Sequence, residues 1–264
     1  MILTDITKAV ARRLAEDKRR IPPETMRQLA MDTPVREGFP FEQALRQAGL
    51  SFICEVKKAS PSKGIIAAHF PYVEIAKEYE QAGAAAISVL TERDYFCGSC
   101  QYLRDIADAV NTPLLRKDFI LDEYQLYEGR YCGAAAVLLI CAILDDTALS
   151  ALLRLAEQLG LSALVEAHDE KEVERAVRAG ARIIGVNNRN LKDFSVSLDT
   201  SCRLRPLVPD SILFVAESGI QSRHDIDRLR AVGVDAVLIG GKLMRSADKK
   251  EALASLQGGR HGCH

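Results

Sequence analysis

The fold is decided by residues 162–187, which read SALVEAHDEKEVERAVRAGARIIGVN. The apolar run SALVEA is followed by an amphipathic pattern over residues 170–179 and then by a second apolar run, RIIGVN. Asp169 stands where a helix N-cap is expected, and Gly180 can end the helix in the left-handed conformation. This order predicts a strand, a helix and a second strand that lies parallel to the first.

The same alternation extends along most of the chain. Eight apolar runs begin at Ser51, Ala85, Pro113, Ala135, Ser162, Arg182, Ser211 and Asp235. Apolar strands that alternate with helices are typical of a parallel sheet covered by helices. Eight such units in 264 residues predict the α/β fold known as the (β/α)₈ or TIM barrel. A doubly wound open sheet is the alternative, but it calls for a G-x-G-x-x-G turn where this chain has KKASPSKG.

Residues 1–48 precede the first predicted strand. Apolar residues recur there at helical spacing, and a Pro22-Pro23 pair interrupts the pattern. The residues on that apolar face are Ile2, Ile6, Val10 and Leu14. We expect residues 1–48 to form an N-terminal helical extension packed on the barrel, within a single domain over residues 1–264.

Composition excludes several classes of protein. Apolar residues make up 48% and charged residues 27%, which is ordinary for a globular chain. The 35 basic and 36 acidic residues lack the basic excess of a nucleic-acid binder. No apolar run approaches the roughly 20 residues of a membrane helix, so no membrane partner is predicted. A charged N-terminus and seven scattered cysteines favour reduced thiols in the cytoplasm.

Polar residues gather at the predicted strand ends, where (β/α)₈ barrels carry their chemistry. They are Glu55 and Lys57, Lys117 and Asp118, Glu166, Asn187, Glu217 with Ser218 and Gly219, and Gly240 with Gly241. The two-residue period of a strand points Glu55 and Lys57 to the same face. Each residue alone is compatible with a structural ion pair at the rim. Together they favour one site at the barrel mouth, because buried charges are costly unless paired or functional.

Glycines follow the last two predicted strands, at Gly219 and at Gly240-Gly241. Such loops let backbone N–H groups approach an anion, and in this fold they form the usual phosphate site. Simple turn chemistry explains the glycines as well. Lys57 and Ser60 could reach the same anion, so the residues predict a phosphorylated small molecule. Two lysines and two carboxylates are then available for proton transfer.

The run EVKKASPSKG, from Glu55 to Gly64, resembles the signature of the indole-3-glycerol phosphate synthase family. Further landmarks follow in the family's order: LRKDFI from Leu115, LVE from Leu164, IGVNNR from Ile184, AESGI from Ala216 and IGG from Ile239. The resemblance covers essentially the whole chain. It implies a cytoplasmic carboxy-lyase of tryptophan biosynthesis that needs no cofactor and no metal. The family converts 1-(2-carboxyphenylamino)-1-deoxyribulose 5-phosphate to indole-3-glycerol phosphate, with loss of carbon dioxide and water.

The resemblance also implies a role for each site residue. Lys117 would be the general acid that protonates the ribulose C2 carbonyl, and Glu166, helped by Glu55, would be the base in the dehydration. Lys57 would either hold the substrate carboxylate or donate a proton. Asn187, Arg189, Glu217 and Ser218 would position the substrate; Gly219, Gly240 and Gly241, with Ser60 nearby, would bind the phosphate; Phe96, Phe119 and Leu138 would line the slot for the anthranilate ring.

The charge state of the lysines is a separate expectation. A lysine inside a barrel mouth, beside a second lysine, is expected to have a lowered pKa, while a neighbouring carboxylate stays charged. Two other functions stay open: a class I aldolase in which Lys117 forms a Schiff base, and a non-catalytic phosphosugar-binding protein. The combination of Lys57, Lys117 and Glu166 argues against the binding protein. We expect a monomer or a weak homodimer.

Overall fold

The architecture was taken from a computed structural model, which describes residues 2–34, 37–190 and 193–258. Eight parallel strands pair in chain order, and the first also pairs with the eighth, so that the sheet closes into a barrel. The strands are β1 (Ser51–Val56), β2 (Ala86–Leu90), β3 (Leu114–Lys117), β4 (Ala136–Ile140), β5 (Ser162–Ala167), β6 (Ile183–Asn187), β7 (Leu213–Glu217) and β8 (Ala236–Ile239). The predicted (β/α)₈ barrel is confirmed.

Helices precede the barrel and alternate with its strands. They are α1 (Ile2–Arg20), α2 (Pro23–Asp32), α3 (Pro40–Leu45), α4 (Tyr72–Gln81), α5 (Cys100–Ala107), α6 (Glu123–Tyr131), α7 (Asp146–Gln158), α8 (Glu170–Arg178), α9 (Asp199–Leu204), α10 (Arg223–Ala231), α11 (Gly241–Met244) and α12 (Lys249–Gln257). Two short 3₁₀ turns cover Cys141–Ile143 and Arg205–Leu207, and Ala59–Ser60 pairs with Gly64–Ile65 in a small antiparallel hairpin after β1.

Six of the eight predicted strands differ from the observed ones by one or two residues at an end. The third strand begins at Leu114 rather than Pro113, since proline has no N–H to give to a sheet. The seventh begins at Leu213 rather than Ser211, because the N–H of Ile212 bonds back to the carbonyl of Pro209 and closes a turn. These differences leave the face assignment of every strand unchanged.

Helix caps follow the sequence pattern. Asp169 accepts a hydrogen bond from the backbone N–H of Glu172, and Ser222 forms a reciprocal capping box with Asp225. Gly180 follows the end of α8 in the left-handed conformation, with a φ of +84°. The N-caps matter for the site because they fix where each helix begins after the preceding strand.

The N-terminal extension packs on the barrel, as predicted. Phe41 and Leu45 of α3 join the apolar interior of the barrel, and Ser51 at the start of β1 donates to the carbonyl of Leu45. The helix α3 therefore closes the barrel at the amino ends of the strands. Ile6 and Val10 of α1 are buried as well.

The six described cysteines are free thiols, while Cys263 lies outside the described residues. In the same part of the chain, the helices are all too short or too polar to span a lipid bilayer.

Candidate active site

A cavity of about 190 Å³ lies at the carboxyl ends of the barrel strands. Every residue that the sequence predicted for the site lines it: Glu55, Lys57, Ser60, Phe96, Lys117, Phe119, Leu138, Glu166, Asn187, Arg189, Glu217, Ser218, Gly219, Gly240 and Gly241. Residues up to 186 positions apart in the chain, as Glu55 and Gly241 are, thus meet in one pocket. Closure of the barrel produces this, since all eight strands end at the same rim.

Three ion pairs line the cavity. Lys117 Nζ donates to Glu217 Oε2 at 2.5 Å and to Glu166 Oε2 at 3.2 Å. Lys57 Nζ pairs with Glu55, which confirms that the two side chains share a face of β1. The carboxylates are almost fully buried, while Lys57 is 18% exposed. The site therefore holds two lysines and three carboxylates, one carboxylate more than the proton-transfer prediction counted.

The expectation of a lowered lysine pKa is wrong for Lys117. Burial does lower the pKa of this ammonium group, but the charges of Glu217, Glu166 and Glu55 outweigh burial and raise it above the usual value for lysine. The sequence argument took into account only the repulsion between Lys117 and the second lysine, Lys57. In the structure the charge of Lys57 is paired with that of Glu55. Lys117 is therefore an ammonium ion at neutral pH and can donate a proton.

The two carboxylates beside Lys117 differ. Burial raises the pKa of Glu166, yet the positive charges of Lys117 and His168 bring it below the usual value, so Glu166 stays ionised as expected. Burial and the nearby Glu166 raise the pKa of Glu217 to about 7, although Lys117 opposes the rise. Among the described residues, Glu217 Oε1 has no hydrogen-bond partner. That oxygen is available to a substrate hydroxyl.

Two glycines make room for these carboxylates. A Cβ on Gly185, in β6, would lie 2.3 Å from Glu217 Oε1. A Cβ on Gly240, after β8, would lie 2.2 Å from Glu55 Oε1 and 3.2 Å from Lys57 Nζ. Real Cβ atoms do not come so close to such neighbours, so each glycine permits a buried carboxylate on an adjacent strand.

The loop after β7 is held in an uncommon conformation. Ser218 has a φ of +67° and Gly219 one of +86°. The side-chain amide of Asn188 donates to the carbonyls of Glu217 and Ser218, and Ser201 donates to Asn188 Oδ1. Asn188 was missed at the level of sequence. Its neighbour Asn187 was chosen as the strand end, and alternation along β6 directs the two side chains to opposite faces.

Positive charge collects at the glycine-rich side of the cavity. Lys63 and Arg245 lie 3.5 Å and 3.3 Å from the point where a Cβ of Gly241 would stand. Burial lowers the pKa of Lys63, and so do the neighbouring charges of Arg245, Arg189 and Lys57. Cations that repel one another favour an anion between them. The sequence singled out Arg189 and Lys57 but missed Lys63 and Arg245.

The opposite side of the cavity is apolar. The rings of Phe96 and Phe119 have centroids 6.0 Å apart with planes tilted by 39°. Ile2, Leu3 and Ile6 of α1 also line the cavity. The sequence predicted a helix against the barrel, whereas the structure places the first turns of that helix at the mouth itself.

A buried polar network supports the lysine from outside the barrel. Arg116 donates to Glu128, Asp118 and Thr91, and Asp118 also accepts from Thr91 at 2.5 Å. Since Arg116 and Lys117 are adjacent on β3, they point to opposite faces of the sheet. Arg116 and Asp118 thus fix the strand end that carries Lys117. The arginine inside the apolar run PLLRKD was the signal for this network.

Barrel, acid–base cluster and basic glycine loops together define a class: a (β/α)₈-barrel protein with a site for proton transfer beside a site for an anion. No group of three or more His, Cys, Asp or Glu side chains in the described ranges is arranged to hold a metal ion.

Comparisons with known proteins refine this class. A family model described as indole-3-glycerol phosphate synthase matches residues 3–256. The proteins named indole-3-glycerol phosphate synthase from Ruminiclostridium cellulolyticum and Endomicrobium trichonymphae are each 52% identical to this chain. The aligned regions cover 98% of this chain and 99% of the first relative, and 97% and 100% for the second. The chain therefore belongs to the indole-3-glycerol phosphate synthase family of carboxy-lyases, which confirms the resemblance found in the sequence.

Solved structures show a wider likeness. The 3-hexulose-6-phosphate synthase from Salmonella typhimurium matches with a TM-score of 0.65 at 14% identity, over 79% of this chain and 97% of that one. Thiamine phosphate pyrophosphorylase from Pyrococcus furiosus matches with a TM-score of 0.61 at 16% identity, over 82% and 96%. At such identities the likeness extends to the fold alone.

Proposed function

We propose that this chain converts 1-(2-carboxyphenylamino)-1-deoxyribulose 5-phosphate to indole-3-glycerol phosphate, with Lys117 as general acid and Glu166 as general base. One observation carries the proposal. The Lys117 ammonium lies between Glu166 and Glu217, in a cavity with an aromatic side and a basic, glycine-rich side. Family membership supports the same reaction.

The substrate matches the two sides of the cavity. Its anthranilate ring suits the apolar side of the cavity, which Phe96, Phe119 and Leu138 line. Its phosphate suits the backbone of Gly219, Gly240 and Gly241, which Ser60 and the nearby cations supplement. With both ends bound, the ribulose carbonyl would lie between them, close to Lys117. Asn187, Arg189, Glu217 and Ser218, which line the same cavity, would position the sugar.

Ring closure begins with a proton from Lys117. As the carbonyl oxygen takes this proton, the aromatic carbon that bears the carboxylate attacks C2, and a carbon–carbon bond forms. Carbon dioxide then leaves, and its bonding electrons restore the aromatic ring. The raised pKa of Lys117 keeps it protonated before the reaction, so that a proton is available to the carbonyl oxygen.

Dehydration completes the indole. The C2 hydroxyl leaves as water. Glu166, supported by Glu55, removes a proton from the adjacent C1, so that the C1–C2 double bond of the indole forms. The lowered pKa of Glu166 keeps it ionised, so that it carries no proton of its own before this step. Lys57 either holds the substrate carboxylate or protonates the departing hydroxyl, and its contact with Glu55 is compatible with both.

The aldolase alternative is disfavoured. Attack on a keto group requires a neutral amine, whereas three carboxylates raise the pKa of Lys117 and keep it charged. Borohydride treatment in the presence of substrate should leave Lys117 unmodified. A trapped adduct on Lys117 would support the aldolase function instead.

The test is turnover by the purified protein. We expect indole fluorescence to appear when the anilino-ribulose phosphate is added, with equimolar release of carbon dioxide. Binding without fluorescence would favour the phosphosugar-binding protein instead. A single domain over residues 1–264, a monomer or weak homodimer, and a cytoplasmic location stay predictions; light scattering of the purified chain tests the second of them.

A further inference from the structure

A histidine that the proposed mechanism does not use stands behind the general base. His168 Nε2 lies 3.3 Å from Glu166 Oε1, while Lys117 Nζ lies 3.2 Å from Glu166 Oε2. Glu166 lines the substrate cavity and His168 does not. The carboxylate is thus held between a lysine on the cavity side and an imidazole on the far side.

A second carboxylate fixes the imidazole. Glu172 Oε2 lies 3.0 Å from His168 Nδ1 and also accepts the backbone N–H of His168 at 2.8 Å. Asp169 accepts the N–H of Glu172 at 2.9 Å, so the first turn of α8 sets where Glu172 points. These contacts tie the end of β5 to the start of α8 and orient the ring towards Glu166.

The imidazole carries a positive charge. Nδ1 lies 3.0 Å from Glu172 and Nε2 lies 3.3 Å from Glu166, so two negative charges flank the ring and favour its doubly protonated form, although Nε2 makes no hydrogen bond to a described residue. Burial lowers the pKa of His168, but Glu166 and Glu172 outweigh burial and raise it to about 10. A fixed cation therefore stands behind Glu166 at neutral pH.

We infer that His168, held by Glu172, is a positioning residue that orients the carboxylate of Glu166 for proton transfer. The inference rests on the proposed function, in which Glu166 is the general base. The positive ring attracts Glu166 Oε1 and so turns Oε2 towards Lys117 on the cavity side, and such alignment accelerates the chemical step. Because the imidazole does not border the cavity, its effect belongs to kcat rather than to substrate binding.

The test compares His168→Gln with His224→Gln, the same change at an exposed histidine of α10. In His168→Gln we expect kcat to fall about 10- to 100-fold, the cost of removing the cation beside a buried carboxylate, with little change in KM. Glu172→Gln, which keeps the length of the side chain and removes its charge, should lower kcat in the same direction but by less. His224→Gln should match the wild type.

The outcomes are distinguishable. A wild type without turnover refutes the proposed function. An active wild type with an unchanged kcat in His168→Gln overturns the inference. Should His168→Gln fail to fold, nitrogen-15 NMR of the wild type at neutral pH decides, since we expect two protonated ring nitrogens on His168, and a neutral ring would overturn the inference equally.

Discussion

At the scale of the residue, the chemistry of Lys117 is set by what surrounds it. A lysine in an apolar barrel would lose its proton, but three carboxylates reverse that tendency. The same contacts keep Lys117 protonated, which makes it a poor nucleophile and leaves a proton on it to donate. The local environment thus separates a lyase from an aldolase on one scaffold.

Replacing Lys117 tests this assignment. We expect Lys117→Ala to lower kcat by about 10²-fold or more, the range for a lost general acid, while the substrate still binds. Steady-state kinetics and a binding isotherm separate the two effects. Lys77→Ala, at an exposed lysine of α4, serves as the control. Turnover that survives in Lys117→Ala would move the acid to Lys57.

The raised pKa of Glu217 has a consequence for stability. The folded protein binds this proton with a pKa of about 7, against an ordinary value of 4.5. The contribution of Glu217 to folding is therefore fully present below pH 4.5 and is lost as the pH rises through 7. We expect the wild type to lose unfolding free energy relative to Glu217→Gln between about pH 5 and pH 7.5. Urea unfolding of both proteins measures it, and parallel pH curves would contradict the assignment.

Sequence reasoning reached the site residues but not their interactions. Glu55, Lys57 and Lys117 could be chosen because strand ends of a barrel converge. The direction of the Lys117 pKa shift could not be predicted from the sequence, because it depends on Glu217, a hundred residues away in the chain. His168 was within reach, because it follows Glu166 by two residues and strand alternation brings both to one side.

At the scale of the element, α1 links the N-terminal extension to the mouth. Asp17 accepts two hydrogen bonds from Arg93, at 3.1 and 2.9 Å, just after β2. Lys18 pairs with Asp122 at 2.8 Å, before α6. These contacts hold the helix whose first turns line the cavity. The helix was predictable from its apolar period, but its place over the mouth depends on these distant partners.

Asp17→Asn should loosen α1. We expect a loss of about 1–3 kcal/mol in unfolding free energy, as for a charged hydrogen bond that loses its charge, together with a higher KM. Glu16→Gln, which removes an exposed ion pair with Arg13, should cost close to nothing. Denaturant unfolding and KM are the measurements. An unchanged KM in a destabilised Asp17→Asn would show that α1 serves the fold alone.

At the scale of the whole molecule, stability and chemistry occupy opposite ends of the barrel. Phe41 is fully buried against the barrel interior, at the end away from Lys117 and Glu166. This separation follows from the topology, since the amino ends of the strands receive the extension and the carboxyl ends carry the polar residues.

Phe41→Ala tests the separation. We expect a loss of about 3–5 kcal/mol in unfolding free energy, as for other buried aromatic side chains. Under conditions where the variant stays folded, kcat and KM should match the wild type. A large fall in kcat in the folded variant would mean that the two ends are coupled.

The central claim is that residues from all parts of the chain meet one sugar phosphate at one mouth. A crystal structure of the wild type with indole-3-glycerol phosphate tests it most directly. We expect the phosphate on the N–H groups of Gly219, Gly240 and Gly241, the indole against Phe96 and Phe119, and Lys117 beside the newly closed ring. Product bound away from Lys117 and Glu166, or with its two ends exchanged, would contradict the account.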